Sequence, residues 1–147
     1  MRVAPQPVPN NAQRTLTTPN TPPVCIIDDE FMMPETLQRL VESAGFKTLA
    51  FSEPQALLDH IAGNPVSVVL SDIWMEQMTG IELLAHISER SPKTRVIFIT
   101  GYEDATAEFP IMRSGAFGFL LKPINPLKLI GLIHLALQMP FQAADEP

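Results

Sequence analysis

The sequence predicts a doubly wound α/β domain on a parallel sheet, and three observations carry that prediction. Short apolar runs alternate with helix-period segments five times between residues 24 and 139. Four of the five runs are continuous rather than alternating, the mark of strands covered on both faces. The connections are short, which with parallel strands implies right-handed crossovers through the helices.

The elements follow in order. "VCIID" is the first strand candidate, and a helix runs from about Pro34 through "ETLQRLVESA", with Leu37, Leu40, Val41 and Ala44 on one face. Gly45 ends it. "FKTLAF" reads as a half-exposed strand, and "SEPQALLDHIA" as a helix capped by Ser52, with Pro54 near its first turn and Gly63 after it. "VSVVLSD" is a buried strand, followed by "TGIELLAHISER", amphipathic through Ile81, Leu84, Ala85 and Ile87. "RVIFIT" and "FGFLL" complete the strands. The last helix opens with Asn125 as cap and Pro126 at its first position and reaches about Met139.

With 147 residues, 46% of them hydrophobic, the chain is one domain with a real core. The expected division is a flexible tail over 1–22, a domain over 23–140 and a short tail over 141–147. Six of the first 23 residues are proline and no apolar period runs through them, so this stretch cannot offset its ordering entropy. It reads as a disordered leader or as a docking peptide, not as a secretory signal. No apolar run approaches the ~18 residues of a membrane span. Arg2 and Arg14 are the only charges before residue 24, so the net charge of −6 becomes −8 for residues 24–147. A domain this acidic is repelled by phosphate backbones, which argues against direct nucleic-acid binding. The single cysteine, Cys25, excludes an internal disulfide and fits a reducing cytoplasm. It is read as a buried small hydrophobe, with a reactive thiol as the alternative.

In doubly wound sheets, ligands bind beyond the carboxyl ends of the strands. Asp28 and Asp29 close the first strand, Asp72 the third, Thr100 the fourth and Lys122 the fifth. Singly, each has a dull explanation as a turn, cap or loop residue. The fold brings them to one rim, where three carboxylates repel one another and raise one another's pKa. A cation relieves that crowding, and hard oxygen ligands favour Mg²⁺. Thr100 and Lys122 then suit an incoming anion, and the whole set suits phosphoryl transfer.

"IIDDE", "SDIWMEQMTG", "FITGYED" and "GAFGFLLKP" together resemble, in order and spacing, the signatures of response-regulator receiver domains of two-component signalling, over about residues 23–138. The resemblance implies a flavodoxin-like (βα)5 fold with strand order 2-1-3-4-5. It implies that Asp72 accepts a phosphoryl group from a sensor histidine kinase or phosphotransfer protein. Mg²⁺ would be held by Asp29, Asp72 and the backbone carbonyl of Trp74, with Asp28 acting mainly through water. Thr100 and Lys122 would bind the phosphoryl group, Thr100 and Phe119 would form the switch, and the Lys122–Pro123 bond would be cis. Such a domain is a switch whose only chemistry is its own phosphorylation and dephosphorylation. Its output is a changed affinity for a partner or a second copy at the face of the fourth helix, fifth strand and fifth helix.

Several features depart from the pattern or leave readings open. Glu76 stands where the family usually has a turn proline, which predicts a looser loop and one more carboxylate near the rim. Trp74 is bulky where the family controls water's approach to the phosphoryl group, so it either slows hydrolysis or is merely exposed. Pro110 interrupts the expected fourth helix, either tuning the switch or as a tolerated irregularity. On the last helix Lys128, Gly131, His134 and Gln138 form a narrow polar stripe. The wide apolar remainder reads as a homodimer or partner face, or as a deeply packed helix. His60, His86 and His134 lack partners at metal spacing. A haloacid-dehalogenase-like Mg²⁺-dependent phosphatase is the competing function, but it requires Asp-x-Asp on the first strand, where this chain has "DDE". A dinucleotide-binding domain fails for want of Gly-x-Gly-x-x-Gly. Only "PFQAADEP" follows the last helix, so the chain reads as a stand-alone receiver or as a fragment of a longer transcription regulator.

Overall fold

A computed structural model describes residues 22–30, 33–101 and 112–138. In chain order its elements are β1 (Val24–Ile27), α1 (Met33–Ser43), β2 (Thr48–Phe51), α2 (Pro54–Gly63), β3 (Val68–Ser71), α3 (Gly80–Arg90), β4 (Arg95–Gly101), β5 (Gly118–Lys122) and α4 (Pro126–Gln138). All strand pairings are parallel, and the order is β2-β1-β3-β4-β5. The expected α/β fold class and its strand order are therefore observed.

The unbroken apolar runs of β1 and β3 have a direct cause. Successive strand residues point to opposite faces, and each face carries helices. Cys25, Ile27, Val69, Val96 and Phe98 pack with Leu57, Leu58 and Ile61 of α2 and Leu83, Leu84 and Ile87 of α3. Val24, Ile26, Val68, Leu70, Ile97 and Ile99 pack with Leu37 and Val41 of α1 and Leu129 and Ile133 of α4. Burying each such Leu or Ile contributes roughly 1.5–3 kcal/mol, so the central strands are held from both sides. β2 and β5 are the sheet edges and are less buried. β5 thus departs from the fully covered strand its composition suggests, because it pairs on one side only.

Local details correct several expectations. Helix α2 is preceded by Glu53 as N-cap, not Ser52, and no side chain caps it. With Pro54 in the first turn, the Glu53 carbonyl instead accepts from the N–H groups of Ala56 and Leu57. Gly63 is the last helical residue, and Asn64 closes the helix by donating to the His60 carbonyl at 3.0 Å. In α3, Leu83 is buried and Ala85 is exposed. The apolar stripe is turned slightly from the expected one because the larger side chain takes the core. In α4, His134 is not part of the open polar stripe: its ring lies edge-on to Phe46, with centroids 5.0 Å apart. Asn125 does cap α4, accepting from the N–H groups of Leu127 and Lys128 at 3.0 and 3.2 Å. Gly45 takes a left-handed φ of 100° after α1, as its stop position requires.

The N-terminal tail, Pro110 and the end of the chain lie outside the described residues. Among the described residues no helix is long and apolar enough to cross a membrane.

Candidate functional site

Register explains why the rim residues meet. Ile27 of β1 stands opposite Ser71 of β3, so Asp28 and Asp72 leave adjacent strands at the same height. The Asp72 N–H still donates to the Ile27 carbonyl at 3.1 Å, and the Asp28 N–H to the Phe51 carbonyl at 3.2 Å. Thr100, buried, sits near the end of β4, with Lys122 ending the neighbouring β5. Phe119, half-buried, pairs with Phe98 and packs against the core on the α2–α3 side. The Lys122–Pro123 peptide is cis.

One carboxylate oxygen from each of Asp28, Asp29 and Asp72 lies within 4.8 Å of the others. Each carboxylate also accepts one backbone N–H. Glu30 donates to Asp28 Oδ1 at 2.9 Å, Ile73 to Asp72 Oδ1 at 2.8 Å, and Glu76 to Asp29 Oδ2 at 2.8 Å. Lys122 Nζ stands 3.5 Å from Asp28 Oδ2 and 3.2 Å from Glu30 Oε1. Together Asp29, Glu30, Met33, Asp72, Trp74, Thr100, Gly101 and Lys122 line an open cavity of about 400 Å³.

The electrostatics follow from this crowding. Burial, and then the charge of Asp28, push the Asp72 carboxyl up to about 6, against the opposing pull of Lys122 and the Ile73 N–H. Asp28 is also raised, chiefly by burial, with the Glu30 N–H and Lys122 opposing. For Lys122 burial works against the charge, but Asp28, Asp72 and Glu30 outweigh it and hold the ammonium above its ordinary range. Three hard oxygen donors in an acidic pocket suit a divalent cation. The same pocket, lined by an ammonium and a buried hydroxyl, suits a small anion beside that cation.

The loop after Asp72 is anchored by alternation. Ile73 and Met75 are buried, while Trp74 between them is 55% exposed at the cavity mouth. The Gly80 N–H closes the loop on the Ile73 carbonyl at 2.6 Å. A Cβ on Gly80 would stand 2.6 Å from both the Asp72 carbonyl oxygen and Phe98 Cε1, so only glycine lets α3 start this close to the site. Thr79 caps α3 in a reciprocal box with Glu82.

Sequence reasoning missed three participants. Glu30 was visible as the third acid of "DDE", but nothing local pairs it with a lysine 92 residues away. Gly80 was visible only as a glycine at a helix start. The Glu76 N–H had no signal except the lack of proline. The sequence suggested a loosened loop there, whereas this N–H ties the loop to Asp29 across 47 residues.

The described geometry coincides with strong similarity to known proteins. Residues 24–134 match the family model described as the response regulator receiver domain. The transcriptional regulatory protein FixJ of Bradyrhizobium diazoefficiens is 33% identical over 121 residues, which are 82% of this chain and 59% of FixJ. The DNA-binding transcriptional regulator NtrC of Escherichia coli is 31% identical over 84% of this chain and 26% of its own length. The chain thus spans less than two thirds of these relatives. A crystal structure of a response regulator receiver domain protein from Clostridium thermocellum superposes with a TM-score of 0.72 at 29% identity, covering 78% of this chain and 92% of that one.

Proposed function

We propose, since this chain belongs to the response-regulator receiver family, that it is a phosphorylation switch whose acceptor is Asp72. Receiver domains are not classical enzymes, so the chemistry is a single modification and its decay. The observation that supports this reading best is the meeting of three carboxylates within 4.8 Å beside a lysine.

Asp28, Asp29 and Asp72, with the Trp74 backbone carbonyl, would hold Mg²⁺, which when bound neutralises the crowded carboxylates and the charge of the incoming phosphoryl group. An Asp72 oxygen forms the new O–P bond as the N–P bond of a kinase or phosphotransfer-protein phosphohistidine breaks. The imidazole nitrogen keeps that electron pair. Asp72 is seated at the end of a buried strand, so attack is effectively intramolecular once the donor docks. Lys122 turns from Asp28 and Glu30 to the phosphoryl oxygens, and the Thr100 hydroxyl bonds another of them. Thr100 moves toward the phosphoryl group and Phe119 follows, which biases a two-state equilibrium. The output is an altered affinity for a protein partner or a second copy. Leu127 and Leu135, 84% and 48% exposed and about two turns apart on α4, support that helix as the contact.

The test is intact mass after incubation with Mg²⁺ and acetyl phosphate, beside Asp72→Asn. One added phosphoryl group in the wild-type chain and none in the variant is the expected result. An unmodified wild-type chain, or equal modification of both, overturns the assignment of Asp72.

A further inference from the structure

Of the three backbone N–H groups that orient the acidic cluster, two are local and one is not. Asp28 is held by the N–H two residues on, and Asp72 by its immediate neighbour. Both bonds close within two residues of the carboxylate they hold. Asp29 is different: it is exposed, and its Oδ2 accepts from Glu76, 47 residues away on the loop after β3. That loop is itself seated by buried Ile73 and Met75 and by the Gly80–Ile73 bond.

We propose that the main-chain N–H of Glu76 is a positioning group for Asp29, turning its carboxylate toward Asp28 and Asp72 before any cation arrives. The inference rests on the metal-binding part of the reading above. An exposed aspartate samples several rotamers, and fixing one in advance removes that ordering cost from the binding step. A charge-assisted N–H···O⁻ bond at 2.8 Å is short enough to do so. The bond leaves Oδ1 of Asp29 and the second lone pair of Oδ2 for a ligand. The Glu76 carboxylate takes no part, so any residue that retains its N–H serves, and proline does not. The loop that carries Trp74 and the cluster that holds the cation are thereby one unit, and distortion of either weakens the other.

The test measures Mg²⁺ affinity by titrating the fluorescence of Trp74, the only tryptophan, in the full chain, in Glu76→Ala and in Glu76→Pro. Alanine keeps the N–H and is expected to bind within about twofold of wild type, any small loss reflecting the removed negative charge. Proline removes it and is expected to bind on the order of tenfold more weakly, as for loss of other outer-shell partners of metal ligands. A second measurement does not depend on the proline variant folding: the amide proton shift of Glu76 in the metal-free chain is expected to move upfield in Asp29→Ala. Equal affinity of proline variant and wild type, equal loss in both variants, or an unmoved Glu76 amide each overturns the inference. In those cases wild type still binds Mg²⁺ and the broader reading stands. A wild-type chain that shows no Mg²⁺ response overturns both.

Discussion

Below about pH 6 the Asp72 carboxyl keeps its proton, held there mainly by burial and by the charge of Asp28. The folded chain without metal therefore binds this proton more tightly than the unfolded chain, whose aspartates titrate near 3.8. By linkage the associated stability is fully present below about pH 4 and is lost as pH rises through about 6. Asp28, raised in the same direction, adds to the trend. Asp72→Asn is expected to stabilise the metal-free chain at pH 7.5 by about 1 kcal/mol, an amount reduced from the full shift because the group is partly solvated. The gain is expected to fall to roughly a third at pH 4.5 and to vanish only below about pH 4, where the unfolded side chain is neutral too. Urea unfolding in chelator at the two pH values measures this, and equal stabilisation at both would remove the carboxylate's charge as the cause. The same residue was the most legible in the sequence. Asp72 ends an apolar run, and that alone fixes its height on the rim. Glu30 was not legible as a partner of Lys122, because that contact depends on how loops curl at the ends of β1 and β5 rather than on any local pattern.

At the scale of elements, the start of α3 is the tightest joint in the site. The helix begins against the Asp72 carbonyl and the Phe98 ring, and the capping box of Thr79 and Glu82 sets the residue at which it begins. Gly80→Ala forces one of those neighbours to move, and overpacking of this kind costs about 1–3 kcal/mol. Thermal or urea unfolding is expected to register that loss. In a Phe98→Leu background, which carries its own cavity cost, the further loss from Gly80→Ala is expected to shrink only in part, because the backbone oxygen of Asp72 stays in the way. Its disappearance would assign the crowding to the ring alone. The strands and helices themselves were readable from periodicity because each buries one stripe or two full faces. What periodicity could not resolve was rotation within a stripe, as Leu83 against Ala85 illustrates, or the cap of α2. There Pro54 and a backbone carbonyl displaced the more obvious serine.

For the molecule as a whole, the exposed leucines of α4 allow the proposed contact face to be tested apart from folding. Leu127 and Leu135 contribute little to the core, whereas Leu129 and Ile133 on the same helix are fully buried. Changing both exposed leucines to lysine is therefore expected to leave unfolding within about 0.5 kcal/mol of wild type, as surface substitutions do. It is also expected to abolish any dimer that forms on phosphorylation, read by size-exclusion with light scattering. A dimer that survives the double change would move the contact to another face. The wide apolar arc of this helix was visible in sequence, but composition could not say which leucines the sheet would claim.

The strand order has a mechanical consequence. Lys122 ends β5, Asp28 follows β1, and β4 and β3 lie between them, so the ammonium that meets Asp28 ties together strands three spacings apart, each about 4.8 Å. It acts as a strap over the open end of the sheet, from the β5 edge to the interior strand β1. On the proposed reading, an anion attached at β3 would shorten the strap by one spacing and free its anchor on β1. Chemistry at that single carboxylate would thus change which strands the ammonium joins.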